Sequence, residues 1–399
     1  MQVTLASLGG GRPETMTAEC ISALQRAGCI LGAKRLLENL PQGCTENRVA
    51  AIKPQDLLDA VSRQQGDCVV VYSGDAGFYS GARGLLPLLA DRDIPTRVLP
   101  GVSSVQLLSA RLGLPWQDWE LVSAHGTDCD VLGAASRGKP VFFLTGGALG
   151  PGEICQRLTR AGLGELSVTV GENLAAPDET ITFGTAAELA NRTFPSLSVL
   201  LAEAAPRFER RSPGLPDEAF LRGQVPMTKQ EVRAAALAKL AVTPTDVLWD
   251  VGAGTGSVSV ELALAAPEGQ VYAIECEPEA CALIRGNRQK FSAWNLQLVE
   301  GRAPEALTSL PAPDAVFIGG TKGGMERIVE LVLSKNENAR VCISAIAVET
   351  LSAAVTALTR HGLEANVTQL AVSRTKPAGA LHLLTANNPT FLITGERHA

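Results

Sequence analysis

The chain has 399 residues, of which 46% are hydrophobic, 19% charged and 4% aromatic, and its formal net charge is −6. This composition excludes a disordered chain, and the length predicts two domains, since one hydrophobic core usually stops growing at about 250–300 residues. Lysine and arginine are scattered without a basic stripe, which argues against a nucleic-acid partner and favours a small molecule.

Cysteine usage indicates a reducing compartment, and hydropathy argues against a membrane protein. The nine cysteines show neither CxxC spacing nor a nearby histidine pattern, which predicts buried free thiols and no metal site. The N-terminus lacks a basic segment followed by an apolar one, and no stretch approaches the length of a membrane span. We therefore expect a cytoplasmic protein without membrane association. A homo-oligomer is also expected.

The first half alternates short apolar runs with amphipathic ones, which is an α/β pattern. Helices are predicted at residues 17–27 and 81–90. Strands are predicted, in chain order, at residues 3–8, 69–72, 97–99, 141–144, 168–170 and 198–201. We assign residues 1–205 to the first domain.

A cluster of proline and charged residues then interrupts the pattern, and residues 206–226 are predicted to be a linker. The second domain, residues 227–399, opens with a predicted helix at 229–240. Its strands are predicted at residues 247–251, 271–275, 296–299, 315–318 and 341–345. Two further runs, near 365–373 and 381–384, predict a doubly wound sheet closed by a final hairpin. The halves share no visible repeat, so they are read as a fusion of unrelated folds.

The second half contains a glycine-rich loop of the kind that binds nucleotides. Asp250-Val-Gly-Ala-Gly-Thr-Gly256 follows an apolar strand and precedes a helix, so that a ligand can lie against the backbone at the helix N-terminus. Glu275 ends the next strand, 23 positions after Gly252, where a carboxylate can accept both ribose hydroxyls. This arrangement serves both dinucleotides and S-adenosylmethionine, and the spacing of the glycines after Asp250 favours S-adenosylmethionine.

The loop resembles that of class I S-adenosylmethionine methyltransferases. Further segments resemble the C-terminal half of the precorrin-6Y C(5,15)-methyltransferase (decarboxylating) family, and they are Gly214-Leu-Pro-Asp-Glu-Ala-Phe220, Val225-Pro-Met-Thr-Lys229, Trp249-Asp-Val-Gly-Ala-Gly-Thr-Gly256 and Phe317-Ile-Gly-Gly320. The resemblance implies cofactor contacts from Thr228, Gly252, Ala253, Gly254, Thr255, Gly256, Glu275, Gly301 and Ala303. Thr228 and Glu231 also have the spacing of a capping box, and both roles can hold at once.

Two loops in the first half follow predicted strands about one βα unit apart. They are Tyr72-Ser-Gly-Asp-Ala-Gly-Phe-Tyr-Ser80 and Leu99-Pro-Gly-Val-Ser-Ser-Val105. Both should emerge at the same edge of a parallel sheet, where α/β ligand sites form. Together with Val122-Ser-Ala-His-Gly126, Val170-Gly-Glu-Asn-Leu174 and Phe183-Gly-Thr-Ala-Ala-Glu-Leu189, they resemble class III (tetrapyrrole) methyltransferases and the N-terminal half of the same family.

In class III enzymes the cofactor lies folded between two αβα lobes, so the resemblance implies a second S-adenosylmethionine site. The residues carried over are Gly74, Asp75, Ser103 and Ser104, with Thr145 and Asn173 from the second lobe. The chain departs from the family pattern at the degenerate opening loop of residues 6–14 and at Ala76, which stands in place of the usual proline. The implied fold is α/β, with an N-terminal two-lobed αβα class III domain fused to a C-terminal Rossmann-like class I domain.

The implied bifunctional enzyme methylates a precorrin at carbons 5 and 15 and decarboxylates the ring C acetate in cobalamin biosynthesis. The family assigns carbon 15 and decarboxylation to the C-terminal half and carbon 5 to the N-terminal half. The electron-rich substrate is its own nucleophile, so positioning supplies most of the rate and no strong base is required. Two alternatives stay open: an RNA methyltransferase, and a one-site methyltransferase whose N-terminal half only binds the tetrapyrrole.

A substrate with many carboxylates predicts arginine or lysine near each site. Lys322 and Lys229 are candidates near the second site, and Arg12, with Arg35 and Arg83, near the first. Each is otherwise an ordinary surface cation. We hypothesise that Lys322 contacts a substrate carboxylate, whereas His125, a lone histidine after a strand, is interpreted as structural.

Overall fold

The computed structural model describes residues 1–126, 128–147, 149–208 and 213–396. The chain divides into an N-terminal unit, Met1–Val131 with Lys139–Ala204, and a C-terminal unit, Leu132–Gly138 with Ala205–Ala399. The predicted linker, 206–226, falls within the C-terminal unit. Its residues 209–212 lie outside the described part, and Asp217–Ala219 forms a short 3-10 turn.

The first sheet of the N-terminal unit is entirely parallel and has the order β3-β2-β4-β1-β5. Its strands are β1 Val3–Ser7, β2 Cys29–Gly32, β3 Arg48–Ala50, β4 Cys68–Tyr72 and β5 Thr96–Leu99. Its helices are α1 Ala18–Arg26, α2 Lys34–Leu37, α3 Pro54–Ser62, α4 Ala82–Ala90 and α5 Ser104–Leu112. All five residues of β1 are buried, as expected for a central parallel strand that is covered on both faces.

The second sheet is mixed and has the order β6-β7-β10-β8-β9. Its strands are β6 Glu120–Ser123, β7 Val141–Leu144, β8 Ser167–Glu172, β9 Thr180–Thr185 and β10 Ser198–Ala202, and its helices are α7 Pro151–Arg160 and α8 Ala186–Leu189. Helix α6, Val131–Ser136, falls in the C-terminal unit except for its first residue. Val105 and Leu108 of α5 pack with Phe142 and Val199 of this sheet. Helix α5, which starts at the second predicted loop, therefore joins both sheets of the unit.

The C-terminal unit is built on a seven-stranded sheet of order β13-β12-β11-β14-β15-β19-β16. The strands of this sheet are β11 Val247–Val251, β12 Gln270–Glu275, β13 Leu296–Glu300, β14 Ala315–Ile318, β15 Arg340–Ala345, β16 Glu364–Leu370 and β19 Thr390–Glu396. Two further strands of the unit, β17 Ser373–Ala378 and β18 Leu381–Ala386, form a separate two-stranded sheet. The helices of the unit are α9 Gln230–Leu240, α10 Ser257–Ala265, α11 Pro278–Lys290, α12 Met325–Lys335 and α13 Val348–Arg360. The strand order reverses at β11, and such a switch point opens a crevice at the carboxyl ends of the strands.

The predicted final hairpin is wrong in its pairing. The run at 381–384 belongs to β18, which pairs with β17 in a separate two-stranded sheet, and the missed strand β19 pairs antiparallel with β15 and β16. Leu392 and Ile393 of β19 are fully buried, whereas Leu381, Leu383 and Leu384 are 56–75% exposed. Burial of β19 therefore decides which segment completes the sheet.

Over the described ranges, we find no helix with both the length and the apolar character that a membrane crossing requires.

Candidate functional site

The glycine loop of the C-terminal unit connects β11 to α10 at the switch point of the sheet. Gly252 has φ 71°, and a Cβ atom there would lie 2.5 Å from the carbonyl oxygen of Gly320. Gly254 has φ 57°, and its Cβ would lie 3.0 Å from the carbonyl oxygen of Pro226. Both positions therefore require glycine, because the loop is held between two neighbouring backbone segments.

The Glu275 carboxylate lies at the end of β12 and fixes the glycine loop. Its Oε2 accepts a hydrogen bond from the amide of Gly254 at 2.9 Å. Its Oε1 accepts from the amides of Cys276 and Glu277 at 2.7 and 3.0 Å. The side chain is held in one orientation by three backbone donors, and its remaining lone pairs stay available to hydroxyl donors of a ligand.

A cavity of about 540 Å³, hereafter the C-terminal pocket, lies in front of this loop. Its walls are residues 225–229, the glycine loop, the ends of four parallel strands and the connection between β18 and β19. The pocket brings together nine of the residues predicted from the sequence: Thr228, Lys229, Gly252, Ala253, Gly254, Glu275, Gly301, Ala303 and Lys322. Thr255 and Gly256 continue the loop and are buried.

Two buried polar atoms of the loop region have no hydrogen-bond partner among the residues that the structure describes, namely Asp250 Oδ1 and Thr255 Oγ1. The other Asp250 oxygen accepts a hydrogen bond from the Ser259 hydroxyl. Burial raises the pKa of the Asp250 carboxyl to about 7, and the hydrogen bond from Ser259 opposes this shift. Unsatisfied buried polar atoms are rare, and these two lie behind the glycine loop, since neither Asp250 nor Thr255 is among the residues that line the pocket.

Lys322 lies in the loop after β14, in a left-handed conformation with φ 46°. Its ammonium pairs with the Glu277 carboxylate and lies 3.4 Å from Cys276 Sγ, and its carbonyl oxygen accepts from Arg302 Nη2 at 3.0 Å. The pairing with Glu277 raises the pKa of Lys322. The lysine therefore links the loop after β14 to the loops after β12 and β13, across the end of β11, at the edge of the pocket.

The capping box predicted for Thr228 and Glu231 does not form. Helix α9 begins at Gln230 with Lys229 as its N-cap and without a side-chain cap. The Glu231 carboxylate pairs instead with Arg374 of β17 at 2.6 Å. The Thr228 side chain is thus left to the pocket wall.

The three loops of the first sheet bind one another through their backbone. Gly9 and Gly74 exchange two hydrogen bonds, at 3.1 and 2.8 Å. Asp75 Oδ2 accepts from the amide of Gly101 at 2.8 Å, and its Oδ1 accepts from Gly77 at 2.7 Å. Asp75 thus joins the two loops that the sequence predicted to lie at one sheet edge.

The loop after β8 reaches the same place. A Cβ atom on Gly10 would lie 2.4 Å from that of Ala175, two residues after Asn173. Asn173 itself donates from Nδ2 to Asp178 at 2.7 Å. Ser103 is buried and caps α5 together with Gln106, and Ser104 is the first residue of that helix. Gly74, Asp75, Ser103, Ser104 and the Asn173 loop therefore converge within the N-terminal unit.

Thr145 lines a second cavity of about 420 Å³, together with residues 146–147, 150–153, 156 and 190–196. Its hydroxyl donates to the carbonyl oxygen of Ser198 at 2.5 Å. His125 Nδ1 lies 3.3 Å from the Thr145 carbonyl oxygen, in keeping with a structural role.

The predicted cations near the first loops are exposed. Arg12 lies 3.9 Å from Glu14, Arg35 donates to the Ser73 hydroxyl at 3.3 Å, and Arg83 lies at the start of α4. The Arg35 guanidinium therefore reaches the loop at 73–80 through its side chain, whereas Arg83 bonds to that loop through its backbone amide, which donates to the Ser80 carbonyl oxygen at 3.2 Å.

Sequence reasoning missed part of the pocket wall, namely Ser344, Ile346, Asn387, Asn388 and Thr390. Ile346 is 70% exposed at the end of β15. The two asparagines directly precede β19. A prediction that placed β19 beside β15 would have brought them to the pocket.

Two family models match the chain. The model described as Tetrapyrrole (Corrin/Porphyrin) Methylases matches residues 2–190, and the model described as Precorrin methyltransferase domain matches residues 218–395. A precorrin-6Y C(5,15)-methyltransferase [decarboxylating] of Sinorhizobium sp is 34% identical over 342 residues, which cover 83% of this chain and 82% of that protein.

Shorter relatives match one part of the chain. A cobalt-precorrin-6B C(15)-methyltransferase (decarboxylating) of Salmonella typhimurium is 41% identical over 184 residues, 45% of this chain and 95% of that protein. The crystal structure of a precorrin-6Y C5,15-methyltransferase from Geobacter metallireducens is 38% identical, with a TM-score of 0.45, and covers 47% of this chain and 97% of that one.

Proposed function

The chain belongs to the precorrin-6Y C(5,15)-methyltransferase (decarboxylating) family, and we propose that its two units each hold one S-adenosylmethionine site. As a member of this family it is a C-methyltransferase of cobalamin biosynthesis that methylates a precorrin at carbons 5 and 15 and decarboxylates it. We assign carbon 15 and decarboxylation to the C-terminal unit and carbon 5 to the N-terminal unit. The proposed domains are residues 1–205 and 227–399, and the proposed linker 206–226 includes Leu215 and Phe220, which pack in the core of the C-terminal unit.

The convergence of the glycine loop, Glu275 and the loop after β13 on one pocket carries the proposal for the C-terminal unit. Glu275 would accept the ribose hydroxyls, Gly301 and Ala303 would flank the adenine, and residues 252–256 with Thr228 would surround the methionine part. When bound, S-adenosylmethionine supplies an electrophilic methyl group.

The residues of the pocket contribute by orientation. The three amides that hold Glu275 fix one end of the cofactor, and the pocket wall at residues 225–229 limits its movement. The precorrin would enter over Ile346 and Asn387, with its nucleophilic carbon facing the methyl group. Holding two reactants at attack distance supplies a large part of such a rate, so the site needs no dedicated base.

In the N-terminal unit we propose that Gly74, Asp75, Ser103, Ser104 and Asn173 hold the second cofactor. The support is the convergence of their four loops and the match of residues 2–190 to tetrapyrrole methylases. Asp75 would act by holding the loops at 73–80 and 101–104 together. Thr145, which like Asn173 directly follows a strand of the second sheet, also belongs to this proposal.

Lys322, Lys229 and Arg12 are the proposed partners of the substrate carboxylates. Lys322 is already paired with Glu277. A substrate carboxylate would therefore have to replace Glu277 or share the ammonium, which has three donors. An RNA substrate is not favoured, since the relatives are named for precorrins and the chain is acidic. A cytoplasmic location and a homo-oligomer remain our expectations.

The stoichiometry of binding tests the two-site proposal. Calorimetric titration of the full chain with S-adenosylhomocysteine is expected to give two equivalents bound. Asp75→Ala and Glu275→Ala are each expected to reduce this to one. The precorrin product of Glu275→Ala, measured by mass spectrometry, should lack one methyl group and retain its carbon dioxide.

One equivalent in the wild-type chain, unaffected by Asp75→Ala, would exclude the first site. If the wild-type product then also lacks the carbon 5 methyl group, the N-terminal unit transfers no methyl group of its own. Thr145→Val serves as a further variant, since a threonine that contacts only the Ser198 carbonyl would leave the stoichiometry unchanged.

A further inference from the structure

A cluster of charged side chains is buried beside the C-terminal pocket, and the chemistry above does not use it. The Arg233 side chain is 0% exposed, and it pairs with Asp217 at 2.9 Å and with Glu261 at 2.8 Å, which are 3% and 1% exposed. Buried ion pairs contribute little net stability compared with well-packed apolar residues. We therefore ask which parts of the backbone these charged side chains hold in place.

Arg233 holds both ends of residues 214–229, hereafter the leading segment. One terminal nitrogen of its guanidinium donates to the Thr228 carbonyl oxygen, and the other donates to that of Leu215. Glu261 in turn accepts from the amides of Gly214 and Leu215, the latter at 3.0 Å. The planar fork of arginine supplies these fixed directions, which lysine cannot reproduce.

The leading segment is a wall of the C-terminal pocket. Its residues 225–229 line the pocket, and the Pro226 carbonyl oxygen approaches the glycine loop at Gly254. Glu261 belongs to α10, the helix that starts directly after that loop. The charge cluster therefore fixes the distance between the two sides of the pocket.

Arg374 of β17 extends the cluster to the surface. It donates to Asp217 at 3.0 Å and forms two hydrogen bonds with Glu231, at 2.6 and 3.1 Å. Its side chain is 35% exposed. Asp217 thus receives one arginine from α9 and one from the β17–β18 hairpin.

We propose that Arg233 and Arg374 are positioning residues for the methyl transfer in the C-terminal unit. They hold the leading segment, and Thr228 within it, at the position in which the pocket accepts its cofactor. This inference rests on the proposed function, because it takes S-adenosylmethionine as the ligand of that pocket.

The test uses Arg374→Gln in the full chain, with Arg340→Gln as the matched control. Arg340 is 33% exposed and pairs at 2.6 Å with the buried Asp246, but it lies at the start of β15, whereas the pocket is at the strand ends. Carbon dioxide release during turnover reports on the C-terminal unit alone. We expect Arg374→Gln to raise the KM for S-adenosylmethionine about tenfold and to change kcat less than about threefold. This is the result expected when a variant weakens cofactor binding and leaves the chemical step unchanged.

Arg340→Gln should lower the melting temperature to a similar extent and leave that KM unchanged. Equal KM values for the two variants would overturn the inference, since they would reduce Arg374 to a structural residue. A wild-type chain that releases no carbon dioxide would instead refute the proposed function, so the two failures are distinguishable.

Arg233 gives a second measurement. Arg233→Lys keeps the charge and loses the fork, and we expect its KM to lie above that of Arg374→Gln, with Arg233→Met higher still. Melting curves establish which variants fold. If Arg233→Met does not fold, the comparison of Arg233→Lys with Arg340→Gln decides the point.

Discussion

The glycine-rich loops of the two units differ in what their polar atoms do. In the C-terminal unit the strand-end acid Glu275 fixes one loop and leaves a pocket of about 540 Å³ in front of it. In the N-terminal unit the acid Asp75 bonds to amides of two loops and ties them together. The same combination of glycine and acid thus lies beside an open pocket in the C-terminal unit. In the N-terminal unit it holds neighbouring loops together at the edge of the sheet, and we call these the braced loops.

The difference follows from what stands opposite each loop. The C-terminal loop follows β11, the strand between β12 and β14 at which the strand order reverses, and such a switch point leaves a crevice at the strand ends. The first loops lie over a sheet where β1 pairs with both β4 and β5, and their backbones approach closely enough to bond, as Gly9 and Gly74 do. A glycine loop therefore indicates close backbone approach, and its neighbours decide whether the partner is a ligand or another loop.

The largest expected effect comes from adding one methyl group at each site. Gly252→Ala places a Cβ 2.5 Å from the Gly320 carbonyl oxygen, and Gly101→Ala places one 2.6 Å from that of Gly74. Because a displacement of about 1 Å costs about a hundredfold in rate, each variant should lose its own methylation to at least that extent. Mass spectrometry of the product should show Gly252→Ala losing carbon 15 methylation and Gly101→Ala losing carbon 5 methylation.

Gly66→Ala is the control, since nothing lies within 4 Å of its Cβ position. If Gly101→Ala retains both methylations, the braced loops of the N-terminal unit do not form an active cofactor site, and the comparison becomes one between an active and a silent half.

The sequence predicted several strands that are buried on both faces, but it missed β2, whose four residues are all buried. Strands β11 and β14 were predicted with their observed bounds, because central parallel strands are continuous apolar runs. Edge strand β9 was missed, since half of it faces solvent and Phe183 is 68% exposed. Strand β19 was missed although its centre is buried, because the exposed leucines of β18 gave the stronger local signal.

Several residues that line the C-terminal pocket were predicted because they lie next to a strand in the sequence, and others were missed because they depend on long-range pairing. The residues of the glycine loop and Glu275 follow a strand directly, so local order along the chain was enough to place them. The partner of Glu231 was not accessible in this way, because Arg374 lies 143 positions away. Asn387 and Asn388 reach the pocket only through the pairing of β19 with β15, which is a long-range packing outcome.

A smaller effect is expected from the buried carboxyl of the C-terminal unit. Burial raises the pKa of Asp250 to about 7, so the folded state keeps its proton to a higher pH than the unfolded chain. The stabilisation by the protonated form is complete below about pH 4 and is lost as the pH rises through about 7. Asp250→Asn stays neutral, so its melting temperature relative to wild type should increase from about pH 5 to about pH 8.

Glu330→Gln, which neutralises an exposed carboxylate of α12 in the same unit, shows the effect of removing one negative charge. A melting-temperature difference for Asp250→Asn that stays constant over this pH range would mean that the carboxyl is ionised throughout. A protonated carboxyl beside the glycine loop would then no longer distinguish the C-terminal unit from the N-terminal unit.

The smallest expected effect concerns the edge of the pocket. Lys322→Met removes the ammonium that pairs with Glu277 and keeps the length of the side chain. An exposed pair contributes little to stability, so the melting temperature should hardly change, whereas the KM for the precorrin should rise about fivefold through one lost charge-assisted bond. Glu277→Gln is the informative partner, because it frees the ammonium for the substrate and should lower that KM. If both variants leave the KM unchanged, Lys322 only joins the strand-end loops of the C-terminal unit, as Asp75 joins those of the N-terminal unit.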